Sequence, residues 1–295
     1  MSKKKPQTIN DLKMTLSKMI EPENMPDSEE ALVPEPPENQ DVEMLRDLVK
    51  EVLTLEAYKG RILDRATNQI SRSAVDVIKD SEIREKHSKL PEGGQLQLSL
   101  EDAKSGTGGS SSVDSSLVDI ETVGRIILIL EVTEGELWTA GAYQYNPSDR
   151  SQSDLIVALG LPRDYDLSIL SLVIPDLKEA IRHELEHGTE STQTLQSRDL
   201  DYADSNHFRD KEAMVKYYTQ GGETEGHVSG LYKKAKHMKI PVSLVINDFL
   251  TDVFQRALAS GLSQADADSG TGEIASAWYE YLTNRWPDSI NYLQE

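Results

Sequence analysis

The chain has 295 residues, 37% of them hydrophobic, and a formal net charge of −20. So acidic a balance repels phosphate backbones and excludes non-specific nucleic-acid binding as a function. Cysteine is absent, which excludes disulfides, thiolate metal ligands and a cysteine nucleophile. The opening MSKKKPQTIN is basic but has no apolar segment behind it, so no signal peptide is expected. No run approaches the ~20 apolar residues that span a bilayer. These features predict a soluble, cytoplasmic protein whose partners include neither nucleic acid nor membrane.

Residues 1–40 are dominated by Lys, Glu, Pro and Asn and close on ALVPEPPENQ. That composition buries too little apolar surface to offset chain entropy, and a disordered tail is expected. From Asp41 the apolar residues fall at helical spacing: Leu45, Leu48, Val49, Val52 and Leu55, then Leu63, Ala66, Ile70, Ala74 and Val77. Residues 41–87 are therefore read as an amphipathic helical arm, one helix or two broken near Gly60, offered to the main domain or to a protein partner. Residues 88–118, with LPEGGQ and SGTGGSSSVDSS, read as a Gly/Ser-rich flexible linker. The main domain is expected over 119–295.

That domain opens with strand-like segments: RIILILEV at 125–132, ELWTAGAYQY at 136–145 and LIVALGLP at 155–162. Short connections between them predict a small, mainly antiparallel sheet. Helical patterns follow at about 174–188, 210–219, 222–238, 243–259 and 272–284. Strands first and helices afterwards make the fold class α+β.

The chemistry lies in IPDLKEAIRHELEHG, which carries His183-Glu184-Leu185-Glu186-His187. On a helix, positions i and i+4 stand one turn apart on one face, so both imidazoles can reach a single ion. Neutral imidazole suits Zn2+, and three protein ligands plus a water make a catalytic zinc site. Glu184 lies where a carboxylate can take the proton of that water. At about 100° per residue, Leu177, Ala180, Ile181 and Glu184 share one face, while Lys178, Arg182 and Glu186 are expected to point to solvent. An unpaired carboxylate on a packed face is unfavourable, so Glu184 there argues for a metal site. Pro175 is expected in the first turn of this helix.

A third ligand is required. The metzincin pattern of a further Gly and His fails, because Glu190 and Gln193 occupy those places. The segment YYTQGGETEGHVSGLYKKAKH offers Glu223 as the first choice, with Glu225, His207 and His227 as alternatives. Glu223, Gly226 and Gly230 form one helical stripe, and glycines there would let this helix approach the His183 helix closely. Tyr217, Tyr218 and Tyr232 are read as core residues, and Asp199, Asp201 or Asp204 as candidates to orient a ligating imidazole.

HELEH on a helix after a short sheet, followed by a helix opening with Glu223-Thr-Glu-Gly226, resembles the gluzincin branch of the zincin metallopeptidases. The resemblance covers roughly residues 120–240. It implies zinc held by His183, His187 and Glu223, with Glu184 activating a water that hydrolyses a peptide substrate. It also implies a zincin-like arrangement of the helices behind the sheet. The segment DVEMLRDLVKEVLTLEA and the linker organisation resemble proteins of tailed bacteriophages, which implies the host cytoplasm or the virion as location. The alternative function is a structural or virion-associated interaction protein whose fold is stapled by zinc. Trp138–Tyr143, with the small residues Ala140, Gly141 and Ala142, is the expected edge strand along which a peptide could lie.

Overall fold

The computed structural model describes residues 39–100, 122–191, 194–195 and 207–287. Of the expected tail over 1–40, residues 1–38 lie outside them, as does the SGTGGSSSVDSS stretch, while residues 39 and 40 are helical. The chain divides into two compact units, Met1–Ile62 and Leu63–Glu295. Of the first, the described part is helical, residues 39–62.

Helix α1 (Asn39–Lys79) is unbroken at Gly60 and is followed by α2 (Ser81–Ser88), capped by the Asp80 side chain on the amides of Glu82 and Ile83. Strands β1 (Gln95–Ser99), β2 (Arg125–Thr133), β3 (Trp138–Gln144) and β4 (Asp154–Pro162) come next. The rest is helical: α3 (Leu170–Thr189), α4 (Lys211–Thr219), α5 (Gly221–Met238), α6 (Val242–Ala259) and α7 (Gln264–Arg285). The class is α+β, as the order of patterns predicts.

The sheet is expected to be mainly antiparallel, and it carries one parallel ladder at its centre. Its order is β1-β2-β4-β3, with β4 inserted between β2 and β3. The outer ladders are antiparallel and the central β2–β4 ladder is parallel, in register from Arg125↔Asp154 to Thr133↔Pro162. The sheet is therefore mixed. The reason lies in the side chains. Both β2 and β4 carry continuous aliphatic inner faces, Leu128 and Leu130 against Val157 and Leu159, all fully buried. Strands of that kind favour the centre of a sheet. Strand β3, with exposed Ala140 and Ala142, takes the edge.

The boundary at 119 is also corrected. Within the expected linker, Gln95–Ser99 forms β1 and pairs with the outer edge of β2. Buried backbone groups of β2 require partners, and five residues of QLQLS supply them. The C-terminal half of the expected arm likewise belongs to the second unit: Leu63, Ala66, Ile70, Ala74 and Ile78 are buried. Tyr165 donates its hydroxyl to the Ile78 carbonyl at 2.7 Å. An amphipathic stripe states that a helix needs cover but not what supplies it.

The second core gathers α4–α7 around Trp278, whose Nε1 donates to the Tyr218 carbonyl at 2.8 Å. Burial pushes the Tyr218 hydroxyl up to about 12, in keeping with its reading as a core residue. Among the described residues no helix is long and apolar enough to cross a membrane.

Ile70 is fully buried in a segment that its sequence reading would place in a separable arm. Ile70→Ala is expected to destabilise the second unit by about 2–5 kcal/mol. A thermal melt checks this, and an unshifted transition would return α1 to the status of an arm.

Candidate metal centre

Helix α3 lies across β3 and β4 on one side and packs along α5 on the other. It begins at Leu170, so Pro175 falls inside the helix and not in its first turn. A one-turn 3-10 segment, Leu167–Ile169, initiates the helix ahead of the proline. Near its end, His183 and His187 stand one turn apart with Nε2 atoms 2.8 Å from each other. Two imidazole nitrogens that close share one proton or one cation.

Glu223 sits in the first turn of α5, where a carboxylate also complements the positive helix end. Its Oε2 lies 3.4 Å from His183 Nε2, and its Oε1 lies 3.7 Å from His187 Nε2. One ligand atom from each of His183, His187 and Glu223 falls within 4.8 Å of the others, so the group could hold a metal ion. Two imidazoles and one carboxylate form a donor set that suits zinc. Among the described residues, Glu225, His207 and His227 do not join the group.

Close helix approach makes the convergence feasible. A Cβ built on Gly226 would stand 3.1 Å from the His183 ring, and one on Gly230 would stand 2.8 Å from the Glu179 carbonyl. The stripe expected from the sequence is thus the contact face.

The local field is negative. Burial opposes a charged His183, but the carboxylates of Glu184, Glu223 and Glu179 outweigh it and raise the pKa above the ordinary imidazole value. Burial also raises the Glu179 carboxyl, against the pull of Lys234. His227 lies beside Glu223, with Nε2 3.6 Å from Oε2, and stacks on Trp278 at 5.2 Å. Burial, reinforced by the neighbouring His183 and His187, holds His227 well below the ordinary value. His207 stacks on Tyr217 at 4.4 Å.

Glu184 is buried, with Oε1 3.9 Å from His183 Nε2, beside the ligand group but outside it. Gly141 of β3 makes room for it: a Cβ there would meet Glu184 Cγ at 2.6 Å.

Two residues overturn the expected solvent face of α3. Arg182 and Glu186 are each 2% exposed and pair at 2.7 Å. Asp64 of α1 lies 3.5 Å from Arg182 and 3.3 Å from Lys233, and Ser229 donates to Glu186 at 3.2 Å. The wheel misplaces these charges because α1 and α5 both bring partners to that face.

Sequence reasoning missed Glu190, noted there only for breaking another pattern. It is buried at the end of α3 with Oε1 2.6 Å from His187 Nδ1. An acid three residues after a candidate ligand histidine is the signal that could have found it. The alternatives Asp199, Asp201 and Asp204 lie outside the described residues.

Comparison with protein-family models, with curated proteins and with solved structures finds no match to the chain.

His183→Ala and His187→Ala are each expected to abolish stoichiometric metal binding, and Glu223→Gln to weaken it. Elemental analysis of purified variants checks this. Unchanged metal content in either histidine variant would remove the site.

Proposed function

We propose that the chain is a zinc-dependent metallopeptidase. The observation that carries the reading is Glu184: a carboxylate held at the metal group without being one of its ligands. A site that only stapled the fold would use four protein ligands and no adjacent base. Among the described residues the group holds three, His183, His187 and Glu223.

Zinc in this group would make a water acidic near neutral pH and polarise a carbonyl oxygen. Glu184 would accept the water's proton as the water oxygen bonds to the carbonyl carbon. It would return that proton to the amide nitrogen as the C–N bond breaks, leaving a carboxylic acid and an amine. His183 and His187 would hold the ion from one rigid helix turn, and Gly141 fixes the distance from Glu184 to the sheet.

The peptide specificity rests on β3. It is an edge strand that runs against α3, and its exposed Ala140 and Ala142 leave the backbone approachable. An extended segment can add to such an edge through main-chain hydrogen bonds, with its scissile amide brought toward Glu184. A protein or peptide is therefore the proposed substrate. The gluzincin resemblance of HELEH and Glu223 points the same way.

Glu184→Gln is expected to lower hydrolysis by about 10²–10⁴-fold while zinc content stays unchanged. Gln keeps the size of Glu but cannot take the proton. Gly141→Ala is expected to lower turnover with the metal retained, because the added methyl displaces Glu184 Cγ. A peptide-library cleavage assay with wild type and both variants measures this. Full turnover by Glu184→Gln would end the peptidase reading and leave a structural metal as the better one.

A further inference from the structure

Resting on the metal reading above, we infer that Glu190 is a positioning residue that fixes the tautomer of His187, held in place by Arg150 from the loop between β3 and β4. The two nitrogens of the His187 ring face different neighbours. Nε2 points to His183 Nε2 and the Glu223 carboxylate, at 2.8 and 3.7 Å. Nδ1 points to Glu190 Oε1 at 2.6 Å, with both side chains almost fully buried. A carboxylate accepts and does not donate, so the proton of the neutral ring belongs on Nδ1. The Nε2 lone pair is then directed at the metal group. Glu190 lies across the imidazole from that group and is not a ligand.

Backbone geometry at the helix end places this carboxylate. Glu190 is the first residue to leave the helix, with φ −65° and ψ 158°. That extended conformation turns its side chain back toward His187, and its amide still donates to the His187 carbonyl at 3.1 Å. The turn is fastened from outside α3. Arg150 donates to the carbonyls of Glu190 at 2.7 Å and Gly188 at 3.0 Å. Thr122 donates its hydroxyl to the Gly188 carbonyl at 2.5 Å, and Tyr143 of β3 donates to the Thr122 carbonyl at 2.9 Å. A guanidinium on the last carbonyls of a helix is also favoured by the helix dipole. The last turn of α3 is thus tied to the sheet, and Glu190 is the side chain through which that tie reaches the ion. A short, charge-assisted bond to the far nitrogen makes an imidazole a more basic and better-oriented ligand.

The test compares zinc affinity, by competition with a chromophoric chelator, for the wild type, Glu190→Gln and Glu190→Ala. Nitrogen-15 NMR of the zinc-loaded proteins reads the His187 ring. Glu190→Ala is expected to weaken zinc binding by about 10–100-fold, and Glu190→Gln by less, because its carbonyl still accepts from Nδ1. The wild type should show a hydrogen-bonded His187 Nδ1–H that Glu190→Ala loses. A purely structural acid would lower the melting temperature while leaving the affinity and the imidazole proton of the folded fraction unchanged, and that result overturns the inference. Wild-type affinity in both variants overturns it while leaving the metal reading intact. Failure of the wild-type protein to bind zinc overturns both.

Discussion

A carboxylate on one helix reaches two imidazoles on another only where the two backbones come within side-chain distance, and glycine sets that limit here. Gly226 lies under the ring of His183, and Gly230 lies against the Glu179 carbonyl one turn earlier on α3. A Cβ at Gly230 would meet the Glu179 backbone at 2.8 Å and force the two helices apart, and one at Gly226 would require the His183 ring to give by a few tenths of an ångström. The separation of His183, His187 and Glu223 therefore depends on two residues that donate nothing to a metal. The sheet side follows the same rule: Gly141 admits Glu184, so α3 is seated between two close approaches and its charged residues are placed by them.

A helix packed on both sides buries more charge than a surface helix does. Arg182 and Glu186 lie within the same two turns as His183 and His187, and both are withdrawn from solvent. Removing either would leave a buried charge with fewer partners, which is strongly destabilising. Their pairing draws in Asp64 from α1 and Lys233 from α5. The HELEH run thus divides its acids by role: Glu184 lies beside the candidate group of His183, His187 and Glu223, and Glu186 faces the ionic network that locks α3 to its neighbours. Asp64 lies far from the motif in sequence, so the folded unit that supports the centre begins well before the strands.

Much of the centre is legible in the residues because the α-helix has a fixed period. Spacing of i and i+4 brings His183 and His187 to one point, and the stripe of Glu223, Gly226 and Gly230 identifies the partner face. Glu190 is not legible in that way. Its contact with His187 depends on the chain leaving the helix at that residue, and helix ends are set by outside partners such as Arg150. Residues 63–79 show the same limit, since periodicity marks a buried stripe without naming its cover. The strand order escapes for a related reason. Adjacent segments favour hairpins, yet the aliphatic faces of β2 and β4 gain more by lying together at the centre, which sends β3 to the edge.

The central claim is that three side chains from two helices hold one zinc ion and leave a coordination position open beside Glu184. X-ray absorption at the zinc edge, paired with anomalous diffraction from zinc-loaded crystals, tests it most directly. The account predicts one site bonded to His183 and His187 nitrogens and a Glu223 oxygen, at about 2.0–2.2 Å, with a non-protein oxygen as the remaining ligand. A closed shell of four protein ligands, or anomalous signal elsewhere in the chain, would contradict it.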